Sequence, residues 1–206
     1  MRRTHSVPDV PLTGGILAGG LGTRLGNIDK GWIEVGGQPL IERVLQRLQP
    51  QVDRVVINAN RHAGDYARFG WPVVADAMPD FPGPLAGIAA ILDTARTDWV
   101  LCVPVDAALL PTDLAPRLCE ALRQNDSPAA YVCTADGPVP VCCLLSTILR
   151  SDLQARLAAG ERSVQSWLAR SGAVEVSFGD WPREYWSLNT PQERRAVESL
   201  LARHPR

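Results

Sequence analysis

Long apolar runs are missing from this chain. No stretch approaches the roughly 20 consecutive apolar residues that a membrane-spanning helix requires. Arg2 and Arg3 open the sequence, but residues 4–13 hold two prolines and an aspartate where a signal peptide needs an apolar centre. Lysine- or arginine-rich runs are absent too, and the formal charge nearly cancels at −1. That balance argues against a broad nucleic-acid footprint or a polybasic membrane anchor. The five cysteines (102, 119, 133, 142, 143) form no C-x-x-C pair, and the adjacent Cys142 and Cys143 cannot easily bond each other without strain. An odd number of thiols without a pairing pattern points to a reducing compartment. His5, His62 and His204 lie far apart without metal spacing, which disfavours a zinc centre. There is no G-x-S-x-G elbow and no histidine placed to activate a cysteine, so covalent hydrolase chemistry is disfavoured. The expectation is a soluble cytoplasmic protein whose partner is a small molecule, with no nucleic acid and no membrane.

What the chain does contain is enough apolar sequence for one α/β core: 46% of 206 residues are hydrophobic. Residues 1–11 read as a flexible leader and 12–206 as a single domain. A buried strand is expected at 12–17, and Leu40, Ile41, Val44, Leu45 and Leu48 form one stripe of a helix that opens at Pro39. Strands are expected at 53–59, briefly at 71–74, and at 99–105, the most hydrophobic run and therefore the central one. Helices are expected from Pro84 and over 111–124. Asp136-Gly137 marks a hairpin between strands at 129–134 and 139–145. Helices at 147–158 and 162–169, a strand at 173–178 and a last helix capped by Thr190 ahead of Pro191 complete the pattern. The fold class is α/β: a doubly wound, mostly parallel sheet with helices on both faces and an antiparallel edge.

The stretch with chemistry in it is Gly14 to Lys30, G-G-I-L-A-G-G-L-G-T-R-L-G-N-I-D-K. Glycines allow backbone N–H groups to close around phosphate oxygens, and Arg24 and Lys30 bring positive charge within one phosphate's reach. It is neither a P-loop, which needs Ser or Thr after Gly-Lys, nor a dinucleotide loop, because Gly20-x-Gly22 is followed by Leu25 rather than by a third glycine in register. Asn58, Asp76 and Asp106 each fall at the end of an expected strand, where open α/β sheets hold their ligands. Asp106 suits Mg²⁺, which takes one or two carboxylates beside phosphate oxygens; a carboxylate stabilising the next helix N-terminus is the competing role. Asn58 and Asp76 could instead be turn-capping side chains.

The loop L-A-G-G-L-G-T-R-L-G-N-I-D-K-G resembles the signature of nucleotidyltransferases, and its Asp29-Lys30-Gly31 resembles the molybdenum cofactor guanylyltransferases in particular. Further similarities follow in the same order: I-N-A-N-R at 57–61, P-D-F-P-G-P-L-A-G at 79–87, P-V-D at 104–106, A-G-E-R at 159–162 and N-T-P at 189–191. The resemblance implies GTP and molybdopterin or Mo-molybdopterin as substrates and Mg²⁺ as cofactor, with GMP transferred to the terminal phosphate of the pterin and pyrophosphate released. It implies nucleotide contacts from Leu17, Ala18, Gly19, Gly20, Gly22, Lys30, Asn58, Asp76 and Asp106. Arg24, Lys30 and Asp106 would be catalytic, with Asp106 as the metal ligand. On the acceptor side it implies Pro84, Gly87, Arg162 and Asn189, and it leaves room for transient contact with molybdoenzymes or their chaperones. The chain departs from the family at Ala107-Ala108, Leu25-Gly26-Asn27, Val139 and Ser187. Alternative readings are a cytidylyl- or sugar-1-phosphate nucleotidyltransferase, or a non-catalytic nucleotide-binding protein that hands over the cofactor.

Overall fold

The first apolar run forms β1 (Leu12–Leu17) in the computed structural model, which describes residues 10–19, 29–77, 83–181, 188 and 190–203. A small antiparallel hairpin follows, β2 (Glu34–Val35) and β3 (Gln38–Pro39), turning through Gly36 and Gly37. Both glycines sit at positive φ, 56° and 74°, the pair of values a tight two-residue hairpin demands. Helix α1 (Leu40–Leu48) buries the expected stripe, with Pro39 one step outside it as the N-cap. Then come β4 (Arg54–Asn58), the short α2 (Ala63–Ala67), β5 (Val73–Val74), α3 (Pro84–Thr94) and β6 (Trp99–Pro104). The second half holds α4 (Leu114–Asn125), β7 (Ala129–Thr134), β8 (Gly137–Ser146), α5 (Arg150–Ala158), α6 (Val164–Arg170), β9 (Val174–Ser177) and α7 (Pro191–Arg203).

Seven strands make one sheet in the order β5-β4-β1-β6-β8-β7-β9. The pairs β5/β4, β4/β1 and β1/β6 are parallel, β8 runs antiparallel to both β6 and β7, and β9 is again parallel to β7. The sheet is therefore mostly parallel, and its single reversed strand, β8, lies between β6 and β7. β6 occupies the middle position, as its hydrophobicity predicts. The connection that runs from β1 out to β4 and β5 returns through α3 to β6 on the opposite side of β1, so β1 flanks the switch point where ligands bind in such sheets.

Side-chain alternation divides the interior into two layers. On one face α1 and α4 cover Ile16, Ile57, Leu101, Val103 and Leu144; on the other α3, α5 and α6 cover Val56, Val100, Cys102, Cys143 and Leu145. The adjacent Cys142 and Cys143 thus point into opposite layers, and all five thiols are free. Helices reach β1 closely through its glycines: a Cβ on Gly14 would lie 2.9 Å from Leu48 Cδ2, and one on Gly15 2.7 Å from Ile91 Cγ2. Helix α7 closes a third apolar cluster, in which Val197 and Leu188 join Val35, Leu40, Ala108 and Leu109.

Helix α4 starts three residues later than its apolar repeat suggests. The buried Gln51 side chain donates to the Pro111 carbonyl at 2.9 Å and accepts from the Ala115 N–H at 3.0 Å. It thereby satisfies backbone groups at the helix entrance that would otherwise be orphaned. Likewise α6 begins at Val164 rather than Arg162, because Ser163 caps it by accepting from the Ser166 N–H.

Candidate nucleotide-binding site

The site forms where β1, β4 and β6 end together. Leu17 is in register with Asn58 on one side and Pro104 on the other. The pairing continues one step beyond the strands, with Ala18 N–H donating to the Asn58 carbonyl at 2.8 Å and Val105 N–H to the Leu17 carbonyl at 3.0 Å. Leu17, Ala18 and Gly19 therefore lie between Asn58 and Asp106. Gly19 is close to the amides: a Cβ there would meet Asn60 Nδ2 at 3.0 Å and Asn58 Oδ1 at 3.1 Å.

Two polar groupings line this edge. In the first, Asn58 Nδ2 donates to Asp76 Oδ1 and Asn60 Nδ2 to Asp76 Oδ2, both at 2.8 Å, while Asp76 N–H donates back to Asn60 Oδ1 at 2.8 Å. A second donation from Asn58 to the Val74 carbonyl ties the bracket to β5. In the second grouping, Lys30 Nζ lies 2.8 Å from Asp106 Oδ2, with both side chains largely shielded from solvent. Between β4 and α2, one buried guanidinium nitrogen of Arg61 has no hydrogen-bond partner among the described residues. Such a donor is suited to an incoming anionic oxygen.

Burial, and then the negative field of Asp106, push the Cys142 thiol well above its ordinary value. It stays protonated at neutral pH and is neither a ligand nor a nucleophile. Among the described residues, no group of three or more His, Cys, Asp and Glu side chains could cage a metal. Asp106 offers one buried carboxylate at this edge, and Mg²⁺ takes one or two carboxylates when a nucleotide supplies the remaining oxygens.

The expected donor-side residues Leu17, Ala18, Gly19, Lys30, Asn58, Asp76 and Asp106 thus share one sheet edge. Gly20, Gly22, Arg24 and Asn189 lie outside the described residues. Gly87, expected on the acceptor side, is buried in α3 against the donor side: a Cβ on it would run into Asn58 Oδ1 and lie 2.8 Å from Leu17 Cδ2. Pro84 is exposed at the first turn of α3. Arg162 donates to the carbonyls of Leu157 and Glu161 in its own turn. Its neighbour Glu161 has a structural task, accepting from the N–H groups of Arg162 and Ser163, which lowers its carboxyl pKa.

Asn60, in the I-N-A-N-R stretch, completes the Asp76 bracket. Reading the sequence by motifs passes over two further site-shaping features. Tyr66 donates to Asp29 beside Lys30. The other is compositional. Lys30 is the only lysine in the chain; the other permanently charged basic residues are all arginine. A chain that otherwise uses arginine throughout keeps a compact ammonium at this one position, which suits a point contact to phosphate better than a planar fork.

Comparison with known proteins gives the family. The family described as MobA-like NTP transferase domain matches residues 14–175. A molybdenum cofactor guanylyltransferase of Burkholderia lata is 46% identical over 195 residues, covering 90% of this chain and 95% of the relative. One from Shewanella loihica is 38% identical over 187 residues, covering 91% and 95%. Among solved structures, molybdopterin-guanine dinucleotide biosynthesis protein A from Archaeoglobus fulgidus superposes with a TM-score of 0.76 at 20% identity, covering 93% of this chain and 100% of that one. The 4-diphosphocytidyl-2C-methyl-D-erythritol synthase of Anaerococcus prevotii shares the fold, with a TM-score of 0.71 at 12% identity over 95% and 98% of the two chains. With its sheet edge, its glycine-rich loop and relatives matched over nearly their whole length, the chain belongs to the MobA-like NTP transferase family, beside the molybdenum cofactor guanylyltransferases.

Proposed function

We propose that this protein transfers GMP from GTP to the terminal phosphate of molybdopterin or Mo-molybdopterin, forming the guanine dinucleotide cofactor. A terminal phosphate oxygen of the pterin attacks the α-phosphorus of GTP, the bond from that phosphorus to the α–β bridging oxygen breaks, and pyrophosphate leaves with the electron pair. Such an in-line displacement needs alignment and charge neutralisation rather than a protein nucleophile. The observation that carries the reading is the convergence of Lys30 and Asp106, 2.8 Å apart, at the edge where Leu17–Gly19, Asn58 and Asp76 also meet.

In this reading the Asn58–Asn60–Asp76 bracket holds the nucleoside end of GTP, and Lys30 draws the phosphates toward Asp106. Arg24, from the glycine-rich sequence, would add a second positive charge. Asp106 would hold Mg²⁺, which when bound supplies positive charge against the triphosphate oxygens. Arg162 and Asn189, with Pro84, would face the pterin phosphate. Among the described residues no helix is long and apolar enough to cross a membrane. We place the reaction in the cytoplasm, with the product passed on through transient contact with molybdoenzymes or their chaperones.

Incubating the protein with GTP, CTP, ATP or UTP, together with molybdopterin and Mg²⁺, tests the assignment. Pyrophosphate and dinucleotide with GTP are expected. Product with CTP alone would overturn the guanine assignment, and binding of GTP without turnover would make the protein a carrier. Asp106→Ala is expected to abolish turnover and to flatten its dependence on Mg²⁺.

A further inference from the structure

Lys30 reaches Asp106 from a single turn of 3₁₀ helix, Lys30–Trp32, and that turn is held from behind by α2. The residue before it, Asp29, is 7% exposed. Its carboxylate Oδ1 accepts from the Tyr66 hydroxyl at 2.6 Å and from the Gly31 N–H at 3.1 Å. The residue after Lys30 is pressed onto the same hydroxyl: a Cβ on Gly31 would collide with the Tyr66 oxygen, so only glycine fits. Trp32 completes the contact, its ring centroid 5.2 Å from that of Tyr66 and 6.1 Å from that of Phe69. Tyr66 itself has no exposed surface. Every residue flanking Lys30 is therefore fixed against one buried phenol.

We propose that Tyr66, acting through Asp29, is a positioning residue for Lys30: the Tyr66 hydroxyl to Asp29 carboxylate bond sets the direction in which the Lys30 ammonium leaves its turn. This inference rests on the role given to Lys30 under the proposed function. The physical argument has three parts. A buried carboxylate needs partners, and here one of them comes from a different element, 37 residues along the chain. A hydrogen bond to an ionised acceptor is short and directional, and therefore orients as well as stabilises. A lysine side chain has four rotatable bonds and gains little alignment from its own stem, so the backbone beneath it must be rigid if the ammonium is to meet a phosphate in one place. Phenylalanine at 66 would pack equally well against Trp32; the hydroxyl is what the Asp29 contact requires.

Because Lys30 is the only lysine, an amine-reactive reagent reports on it with the N-terminal amine as internal control. The test compares wild type, Tyr66→Phe, Asp29→Asn, Lys30→Ala and the Tyr66→Phe/Lys30→Ala double variant. Lys30 acetylation by limiting acetic anhydride is followed by mass spectrometry, and kcat and KM for GTP are measured in parallel. Tyr66→Phe is expected to raise the Lys30 labelling rate and to lower kcat by about tenfold, with KM for GTP changed by less than about threefold, in keeping with the loss of one hydrogen bond to a charged group. Asp29→Asn keeps an acceptor oxygen for both donors but removes its charge, and is expected to fall between wild type and Tyr66→Phe on both readouts. In the Lys30→Ala background, Tyr66→Phe is expected to cost nothing further in kcat. Unchanged Lys30 labelling in Tyr66→Phe overturns the proposal, as does a full, additive loss in the double variant. If Lys30→Ala alone retains wild-type efficiency, the catalytic role of Lys30 falls, while the labelling rate still decides whether Tyr66 positions it.

Discussion

Asn58 Nδ2 donates to Asp76 Oδ1, 18 residues further along the chain, across 2.8 Å, linking the ends of two neighbouring parallel strands. The contact does more than cap a turn, because Asn60 engages the second carboxylate oxygen and the Asp76 N–H closes the ring. The result is a rigid polar bracket against Gly19. Asp76→Ala would remove the carboxylate that both amides share, leaving Asn58 only its bond to the Val74 carbonyl. The expected outcome is a KM for GTP raised by about tenfold with kcat within about threefold of wild type, read by steady-state kinetics, since the bracket acts on binding in both ground and transition states.

Lys30 carries the opposite expectation. Lys30→Ala removes a charge-assisted contact from the phosphate side and is expected to cost roughly 1.5 to 3 kcal/mol in kcat/KM. Lys30→Arg keeps the charge but enlarges the head into a planar fork beside the buried Asp106, so most of the loss is expected to persist. Full activity in the arginine variant would show that charge alone suffices there.

Gly87 offers a test in which stability and binding move together. Replacing it by alanine would push a methyl group toward Asn58 Oδ1 and Leu17 Cδ2 inside a close-packed layer. Overpacking of this kind is expected to lower unfolding free energy by about 1 to 3 kcal/mol, measured by urea titration. A raised KM for GTP is expected alongside it under the proposed function, because the displaced atom belongs to the Asn58–Asn60–Asp76 bracket.

Alkaline pH is expected to weaken the fold. Burial in α4 pushes the Cys119 thiol from 9.0 up to about 11, with Arg123 opposing the shift. The folded state therefore holds this proton more tightly than the unfolded chain. Stability from this group is complete below about pH 9 and is lost as pH rises toward 11, by up to about 2 to 3 kcal/mol. Urea midpoints at pH 8 and pH 10.5 check the sign. Cys119→Ala is expected to show a shallower fall than wild type, whatever its starting stability.

The sheet was legible where the chemistry of single segments decides it. The run 12–17, the Leu40–Leu48 stripe and the Trp99–Pro104 core strand follow from period and hydrophobicity, and Asn58 and Asp106 fall at strand ends for the same reason. Long-range partnerships were not legible. Nothing local in Gln51 indicates that it will seat the entrance of α4, and nothing in Tyr66 indicates Asp29; both pairings exist only once separate elements have packed. The insertion of β8 between β6 and β7 is likewise a matter of which edges remain open, not of the hairpin's own residues. The closeness of Gly87 to Asn58 was not legible for a related reason: in sequence it belongs with the 79–87 loop, and in space its α-carbon faces Asn58.

β1 is synthesised before either of its neighbours, and both join it in parallel. Parallel partners cannot be recruited by a hairpin, so this strand must wait for β4 and then for β6, which ends only at Pro104. Folding of the nucleotide edge is consequently governed by distant encounters and is expected to be slow relative to a helical protein of the same size. During that wait an apolar strand is exposed, and its sequence is suited to the delay. Gly14 and Gly15 in its middle admit α1 and α3 once the sheet exists, and until then they make L-T-G-G-I-L a poor template for adhesion to other nascent chains.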